Sequence, residues 1–462
     1  MKRPKVALIG LDCAEPSLVF DRWINDLPNI KRIMESGVFA PLRSCDPPIT
    51  VPAWACMMTG KDPGQLGFYG FRNRAGYDYL DVGLVDSSQL NEPTVWDQLG
   101  KYGYKSIIMG VPPTYPPKPM KGCLVSCFLT PDQSAPHTYP PELQEEIKEN
   151  VGDYQFDVKH FRTHLVEELT DDIYQMTETR FKTAKYLLEH KEWDFFAMVE
   201  MGIDRMHHAF WHYMDETHVL HKPSPYHDVI FRYYQYVDQQ IGDLLEQFPE
   251  GTHVFIVSDH GAKKMDGGFC LNEWLIKEGY LTLKGPVTEP TPLTPDLVNW
   301  DKTKAWGYGG YYGRLCLNIK GREPEGIVPF KHAEKLRNEI IQKIKKVRNE
   351  HGVLMNNKVF KPQKRYTTVK NIPPDLLIYF GDLYWRSVGT VGNGTLFVKE
   401  NDTGPDGANH DYNGIFIQGI KDKDTRKFQR ADRLHITDVA PTILNIFQIP
   451  PMKGILGKAK VW

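Results

Sequence analysis

Residues 253–261 read HVFIVSDHG, an apolar run that ends on Asp259 and His260. A short run of this kind is typical of a strand that is buried on both faces of a parallel sheet. The two side chains that follow the run are both good metal ligands. An Asp-His pair alone carries little information, so its meaning depends on whether other strands end in matching groups.

Two other apolar runs end in the same way. Residues 6–11 read VALIGL and are followed by Asp12, and residues 194–201 read DFFAMVEM and are followed three residues later by Asp204. The carboxyl ends of parallel strands meet at one edge of a sheet, where ligands bind in open α/β folds. Each aspartate alone is equally well explained as a helix N-cap. Together the three favour a metal site, because clustered carboxylates repel one another without a cation.

The rest of the chain alternates further strands with helices. Residues 229–248 are strongly amphipathic and predict a helix that covers a face of the sheet. The alternation predicts the α/β fold class, with a mostly parallel central sheet flanked by helices. We predict a catalytic core made of residues 1–274 and 402–462, and an inserted cap over residues 275–401. Residues 112–190 interrupt the alternation and have no assigned role.

Composition excludes several classes of protein. The chain has 462 residues, and its 56 Lys+Arg against 58 Asp+Glu lack the basic excess of a nucleic-acid binder. Seven scattered cysteines argue against a disulfide framework, and Cys123 and Cys127 are expected to be buried free thiols. No apolar stretch approaches the roughly 20 residues that span a bilayer. We therefore expect a cytoplasmic protein with no nucleic-acid or membrane partner.

The segment Asp204-Arg-Met-His-His208 places an aspartate and a histidine four residues apart. On a helix these two side chains share one face and can bind one ion. His207 points elsewhere and is expected to pack or to support a ligand. His212 lies four residues after His208 and is a second candidate ligand, but we expect it instead to pack beside Phe210 and Trp211.

Residues 49–60, ITVPAWACMMTG, predict a helix with Pro52 in its first turn and Gly60 at its end. Thr50 then lies at the helix N-terminus, where free N–H groups and the helix dipole favour an anion. A threonine hydroxyl is a nucleophile only when a base or a metal activates it. Thr50 is alternatively only an N-cap. His410, in a Gly-rich loop before an apolar run, is either a ligand or an exposed loop residue.

The order of these motifs resembles the type I phosphodiesterase/nucleotide pyrophosphatase family of the alkaline phosphatase superfamily. The resemblance extends over GLD (10–12), PPITVPAW (47–54), TGKDPGQLGF (59–68), SDHG (258–261), LNEWL (271–275), NIKGREPEGIV (318–328) and TDVAPTIL (437–444). It implies two divalent metal ions, usually Zn²⁺, with Mn²⁺ as the alternative. One would be held by Asp204, His208 and His410, and the other by Asp12, Asp259 and His260, with Thr50 as bridging ligand and nucleophile. This mixture of oxygen and nitrogen ligands suits Zn²⁺ or Mn²⁺ better than Mg²⁺.

The chain departs from the family pattern just after the nucleophile helix. Phe71 stands where the family has an asparagine that binds a phosphate oxygen, and Asn73 is the candidate substitute. Arg72 and Arg74 either hold the extra charge of a phosphomonoester or are solvated loop charges.

The predicted function is metal-dependent hydrolysis of a small phosphoester by a threonine nucleophile, as in a phosphodiesterase or nucleotide pyrophosphatase. A nucleotide is among the candidate substrates. The alternatives are a phosphomonoesterase and a phosphomutase, although a phosphomutase normally uses serine. A sulfatase is excluded because TVPAW lacks the Cys/Ser-x-Pro-x-Arg motif. A metal-binding module without activity is the alternative outside catalysis, and the oligomeric state is open.

Overall fold

The computed structural model of the chain describes residues 3–423, 429–432 and 434–462. Residues 1–2, 424–428 and 433, which belong to the predicted core, lie outside the described residues. The seven cysteines are all free and buried, as expected. In the described part of the chain, no helix combines the length and the apolar character needed to cross a membrane.

A large mixed sheet forms the centre of the fold. Across the described residues it has ten strands. Nine of them are, in spatial order, Gln429–Arg430, Val38–Arg43, Asn413–Ile420, His253–Val257, Val6–Leu11, Phe195–Glu200, Ser106–Met109, Gly122–Val125 and Thr138–Tyr139. The tenth, Leu434–His435, also pairs with Val38–Arg43. The six strands from His253–Val257 to Thr138–Tyr139 are parallel except for the last. Asn413–Ile420 is antiparallel to both of its neighbours. The predicted α/β fold with a mostly parallel sheet is confirmed.

Helices pack around this sheet in two groups. One group consists of Pro28–Glu35, Val166–His190, Gly202–Met214 and Val229–Leu245, and the other of Thr50–Thr59, Val95–Lys101 and Val439–Ile446. Two short α-helices, Pro63–Leu66 and Leu143–Asn150, and a π-helix, Ser17–Arg22, also lie in the region around the sheet. Every strand residue from Val6 to Leu11 is buried, which is the burial expected for a sheet covered on both faces.

The register of the three central strands determines where the site forms. Gly10 of the strand Val6–Leu11 lies opposite Val199 on one side and Val257 on the other. The three strands therefore end level with one another. The residues that follow each strand reach the same edge of the sheet, as the sequence predicts.

Residues 267–398 form a second hydrophobic core, separate from the core around the large sheet. It contains an antiparallel sheet of Ala305–Tyr308, Gly313–Leu317, Leu376–Tyr379 and Lys358–Phe360. A second sheet pairs Gly267–Cys270 with Trp385–Val388 and Phe397–Val398, and Thr291–Pro292 pairs with Thr390–Val391. The helices here are Leu271–Lys277, Phe330–Ile344 and Pro362–Arg365. Residues of this second core begin at Phe269, and the domain boundary at 275 stays a prediction.

Two further pairs of short antiparallel strands lie outside these sheets. The strand Ala408–Asp411 runs antiparallel to Gly261–Lys264 and places His410 opposite Ala262. His410 is therefore in a strand rather than in the predicted loop, because the chain after Asp259 and His260 turns and pairs with it. The other pairing joins Arg72–Arg74 to Val82–Leu84.

Candidate metal centre and substrate cavity

Three buried aspartates meet at the carboxyl edge of the central strands, and each has one oxygen held by a donor of the protein. The hydrogen bonds run from Trp54 Nε1 to Asp12 Oδ2 (2.7 Å), from Arg205 Nη1 to Asp204 Oδ2 (2.5 Å) and from the main-chain N–H of Cys13 to Asp259 Oδ1 (3.3 Å). The second oxygens, Asp12 Oδ1, Asp204 Oδ1 and Asp259 Oδ2, are buried without a hydrogen-bond partner among the described residues. None of the three carboxylates caps a helix N-terminus here, so the N-cap alternative does not hold.

Three histidines face the same point, and each has its Nδ1 atom against an oxygen. His208 Nδ1 lies 2.8 Å from Asp406 Oδ1, His260 Nδ1 lies 3.1 Å from the carbonyl of Gly261, and His410 Nδ1 lies 2.9 Å from the carbonyl of Pro48. A ring that donates from Nδ1 keeps a lone pair on Nε2, the arrangement found in metal-binding histidines. All three Nε2 atoms are therefore available as ligands.

Asp204, His208 and His410 form one group of donor atoms. His208 Nε2 lies 3.3 Å from Asp204 Oδ1 and 3.3 Å from His410 Nε2, and the third side of the triangle measures 3.7 Å. Ligand atoms about 2.1 Å from a tetrahedral Zn²⁺ are roughly 3.4 Å apart. The spacing of this group fits one such ion.

Asp12, Asp259 and His260 form a second group. His260 Nε2 lies 3.2 Å from Asp259 Oδ2 and 3.7 Å from Asp12 Oδ1. His260 also lies close to Asp204 and His410, and its ring stacks on that of His410 at 3.8 Å. The two donor groups are therefore adjacent, with His260 between them.

Thr50 is the first residue of the helix Thr50–Thr59, whose N-cap is Ile49. Its side chain is buried and caps nothing; its Oγ1 lies 3.2 Å from His260 Nε2. The N-terminal N–H groups of this helix have no intrahelical partner, and the positive end of its dipole lies beside the threonine. The Thr50 hydroxyl therefore lies at a helix N-terminus, which favours an anion, and next to His260, which lies between the two donor groups.

Several side chains of this cluster have pKa values far from their ordinary ones. Burial and the neighbouring carboxylates raise the pKa of Asp12 and of Asp259 well above the ordinary value. Burial lowers the pKa of His260 to about 4, so its ring is neutral at pH 7. Burial alone would lower the pKa of His208, but Asp406 and the other negative groups around it hold that pKa well above the ordinary value. Asp12 and Asp259 are thus poorly stabilised as anions beside the neutral ring of His260, and a cation at this position would stabilise their charge.

His207 and His212 lie outside the cluster. His207 Nε2 is 3.3 Å from the hydroxyl of Tyr234, and the ring packs against Trp211. His212 packs against the ring of Tyr213 at 3.9 Å. Both side chains therefore pack, although the ring contact of His212 is with Tyr213 rather than with the predicted Phe210 and Trp211.

Asp406 is a site residue that sequence reasoning missed. It is buried, and its Oδ1 accepts the hydrogen bond from His208, while its Oδ2 accepts from Arg162 Nε (2.9 Å) and Arg386 Nη1 (3.1 Å). A carboxylate behind a ligating histidine fixes the tautomer and the orientation of the ring. Its position four residues before His410, in the same Gly-rich segment, is a local signal that points to it.

A cavity of about 300 Å³ opens in front of Thr50, Asp204 and His410. Aromatic side chains line part of it, namely Phe71, Phe128, Phe161, Tyr311 and Tyr312, and five arginines line the rest, namely Arg72, Arg162, Arg205, Arg314 and Arg386. Tyr311 stacks on the ring of His410 at 4.0 Å. Residues 112–190, left without a role by the sequence, supply Phe128, Asp157, Phe161 and Arg162 to this wall.

The residues after the helix Thr50–Thr59 divide between the cavity and the interior. Phe71 lines the cavity, but Asn73 does not substitute for the missing asparagine, because its side chain is bonded to the main chain of Tyr69 and Gly67. Arg74 is neither a phosphate ligand nor a solvated charge. It is buried and paired with Glu323 at 3.1 Å.

Comparisons with known proteins show the fold and the family of the chain. No curated protein matches the chain by sequence. Solved structures of ectonucleotide pyrophosphatase/phosphodiesterase 5 share its alkaline phosphatase-like fold: the human protein has a TM-score of 0.57 at 12% identity, and the murine protein 0.57 at 13%. An inactive threonine-to-alanine form of the murine protein in complex with AMP has a TM-score of 0.58 at 12% identity. Each comparison covers 99% of this chain and 97% of the other. The family model described as type I phosphodiesterase/nucleotide pyrophosphatase matches residues 6–413, and the chain therefore belongs to this family of phosphoric ester hydrolases.

Proposed function

We propose that the chain hydrolyses a small phosphodiester or a nucleotide pyrophosphate with Thr50 as the nucleophile and two divalent cations as cofactors. One observation carries the proposal: six buried side chains each have one polar atom fixed by the protein and a second one turned toward a common point. Leaving three carboxylate oxygens unpaired in the interior costs free energy, which bound cations would offset. The short distances between donor atoms within each of the two predicted groups support this assignment.

The donor chemistry narrows the choice of metal. Each group combines carboxylate oxygen with imidazole nitrogen, which suits Zn²⁺ or Mn²⁺ and not the all-oxygen coordination that Mg²⁺ prefers. Asp204, His208 and His410 would hold one ion, and Asp12, Asp259 and His260 the other, with Thr50 between them. When bound, the two ions supply Lewis-acid stabilisation of charge on the reacting oxygens.

The residues of the chain have separate tasks in the reaction. Thr50 Oγ1 forms a bond to phosphorus as the bond from phosphorus to the leaving oxygen breaks, which gives a threonine ester of the phosphate with its remaining arm. The Thr50 proton passes to solvent, and the leaving oxygen takes one up from solvent. Water then forms a bond to phosphorus as the bond to Thr50 Oγ1 breaks, which releases the phosphate with its remaining arm and returns a proton to Thr50. The helix N-terminus at Thr50 holds the phosphoryl group by charge, because fixed donors need no reorganisation during the reaction.

The murine relative with AMP supports a nucleotide as one candidate substrate, and its inactive threonine-to-alanine form supports the role of Thr50. The aromatic side chains of the cavity offer flat surfaces for a base. A phosphomonoesterase is the second candidate, favoured by the guanidinium groups that line the cavity, since a monoester carries one more charge than a diester.

The test is turnover of bis-p-nitrophenyl phosphate, p-nitrophenyl phosphate and a nucleotide pyrophosphate by the metal-loaded chain. Thr50→Ala should lose on the order of 10³-fold or more in kcat while it still binds metal. Thr50→Ser keeps the hydroxyl and should retain part of the activity. Thr59→Ala, on the same helix, is the control for an altered buried threonine. Diester turnover by Thr50→Ala at the native rate would overturn the nucleophile.

We also propose a cytoplasmic location, which the seven free and buried cysteines support. Cell fractionation with an antibody to the chain tests it, and recovery outside the cytoplasm would contradict it.

A further inference from the structure

The cavity in front of Thr50 carries more positive charge than the scissile phosphate group requires. Its walls contain five arginines but only two carboxylates, Asp157 and Asp204. Like charges around a small cavity repel one another unless an anion lies between them. The ion pairs of each arginine therefore show which guanidinium groups have no carboxylate partner.

The three inner arginines are paired with carboxylates. Arg205 forms a two-pronged ion pair with Asp157, at 2.8 and 2.6 Å, and also bonds to Asp204. Arg162 and Arg386 share Asp406. These side chains support the candidate metal ligands, and their charge is largely balanced.

The two outer arginines, Arg72 and Arg314, are different. Arg314 Nη1 donates to the main-chain carbonyl of Arg72 at 2.6 Å, and its Nη2 donates to the carbonyl of Gly309 at 3.4 Å. Its guanidinium also lies over the ring of Tyr308. These partners are neutral, and within the described part of the chain neither Arg72 nor Arg314 forms an ion pair with a carboxylate.

The two outer arginines come from different parts of the fold. Arg72 follows the nucleophile helix, and Arg314 lies on the strand Gly313–Leu317 of the second core. The hydrogen bond from Arg314 to the main chain of Arg72 holds the two segments together at the cavity wall. Both residues line the cavity, and among the described residues neither side chain is hydrogen-bonded to a candidate metal ligand.

We propose that Arg72 and Arg314 form a second anion site, and that the substrate carries a carboxylate or a second phosphate on the ester arm that stays attached to the scissile phosphorus when the leaving group departs. A guanidinium that is already oriented by neutral carbonyls binds either anion with little loss of side-chain freedom. The inference rests on the proposed phosphoester hydrolysis and adds the class of its substrate.

The test compares p-nitrophenyl phosphodiesters that share one leaving group and differ in the second ester arm. The arms are 2-carboxyethyl, 2-phosphonoethyl and the uncharged 2-carbamoylethyl, which matches the carboxylate in size. The native chain should prefer at least one charged arm over the carbamoyl arm by about tenfold or more in kcat/KM, because a charge-assisted hydrogen bond contributes at least that much. The preferred arm identifies the carboxylate or the phosphate as the anion.

Arg314→Gln and Arg72→Gln should each bring the ratio of kcat/KM between the charged arm and the carbamoyl arm close to one. Arg348→Gln, an exposed arginine of the second region that donates to the carbonyl of Gly352, should leave the preference unchanged. Equal turnover of all three diesters by the native chain would overturn the second anion site and leave the proposed function intact. A preference for p-nitrophenyl phosphate over every diester, lost in Arg314→Gln, would overturn it as well, because the arginines would then serve the scissile phosphate.

Binding separates the two proposals if no diester is hydrolysed. Calorimetry on metal-loaded Thr50→Ala measures the Kd of the same three diesters without turnover. Tighter binding of a charged arm, weakened by Arg314→Gln in the Thr50→Ala background, would support the anion site even where the proposed hydrolysis fails. Equal Kd values for the three arms would overturn it.

Discussion

Replacing Asp406 by asparagine tests whether the candidate metal ligands depend on the carboxylate behind them. Asp406 Oδ1 lies 2.8 Å from His208 Nδ1 and 3.3 Å from the N–H of Ala408, and its Oδ2 accepts from two arginines. Asparagine keeps one acceptor oxygen of nearly the same shape. Its amide NH₂ then faces the guanidinium groups of Arg162 and Arg386, which lose their shared carboxylate.

The expected effect on metal binding follows from the role of the carboxylate. Removal of a carboxylate that orients a ligating histidine typically costs 10- to 100-fold in metal affinity, or about 1.4 to 2.8 kcal/mol. The fold should lose stability too, because breaking a buried ion pair while its partner stays costs about 3 to 5 kcal/mol. Both effects should appear together in Asp406→Asn.

The assay is a titration of the metal-free chain with Zn²⁺ against a chromophoric chelator, together with urea unfolding of the same preparations. Asp402→Asn is the matched control, since Asp402 is exposed in the same segment and accepts only from the N–H of Gly389. A folded Asp406→Asn chain that binds Zn²⁺ with the native Kd would refute the reasoning.

Two further predictions concern the same cluster. Removal of metal by a chelator should lower the unfolding temperature, because the buried carboxylates then repel one another. Zn²⁺ or Mn²⁺ at 100 times its Kd should restore about 2.7 kcal/mol of stability, measured by thermal unfolding. Recovery with Mg²⁺ alone would contradict the assigned ligand chemistry. Trp54→Phe removes the donor to Asp12 Oδ2 and keeps an aromatic ring in the core, so the free energy of unfolding of the metal-free chain, measured in urea, should fall by about 1 to 3 kcal/mol. Trp96 is a buried indole in the helix Val95–Lys101, and Trp96→Phe should lower the free energy of unfolding by less.

The order of the strands along the chain and the acidic residues that end them could be predicted from local pattern. A strand buried on both faces needs a continuous apolar run, and a polar residue such as Asp12 or Asp259 ends that run where the chain leaves the sheet. The spacing of Asp204 and His208 is likewise a helical period. These features repeat over a few residues, so the sequence carries them without knowledge of distant contacts.

The tertiary structure decided what each of these side chains meets. Asp406 lies behind His208 because residues 402–411 return to the edge of the large sheet, and Arg74 is buried because Glu323 comes to it from the second core. The cavity wall likewise joins residues from 49 to 410 that are remote in sequence. Pairings of this kind depend on packing between distant segments, and no local period records them. Sequence alone therefore determined the candidate site residues, and the packing of the two regions decided which of the charges around them are balanced by an ion pair.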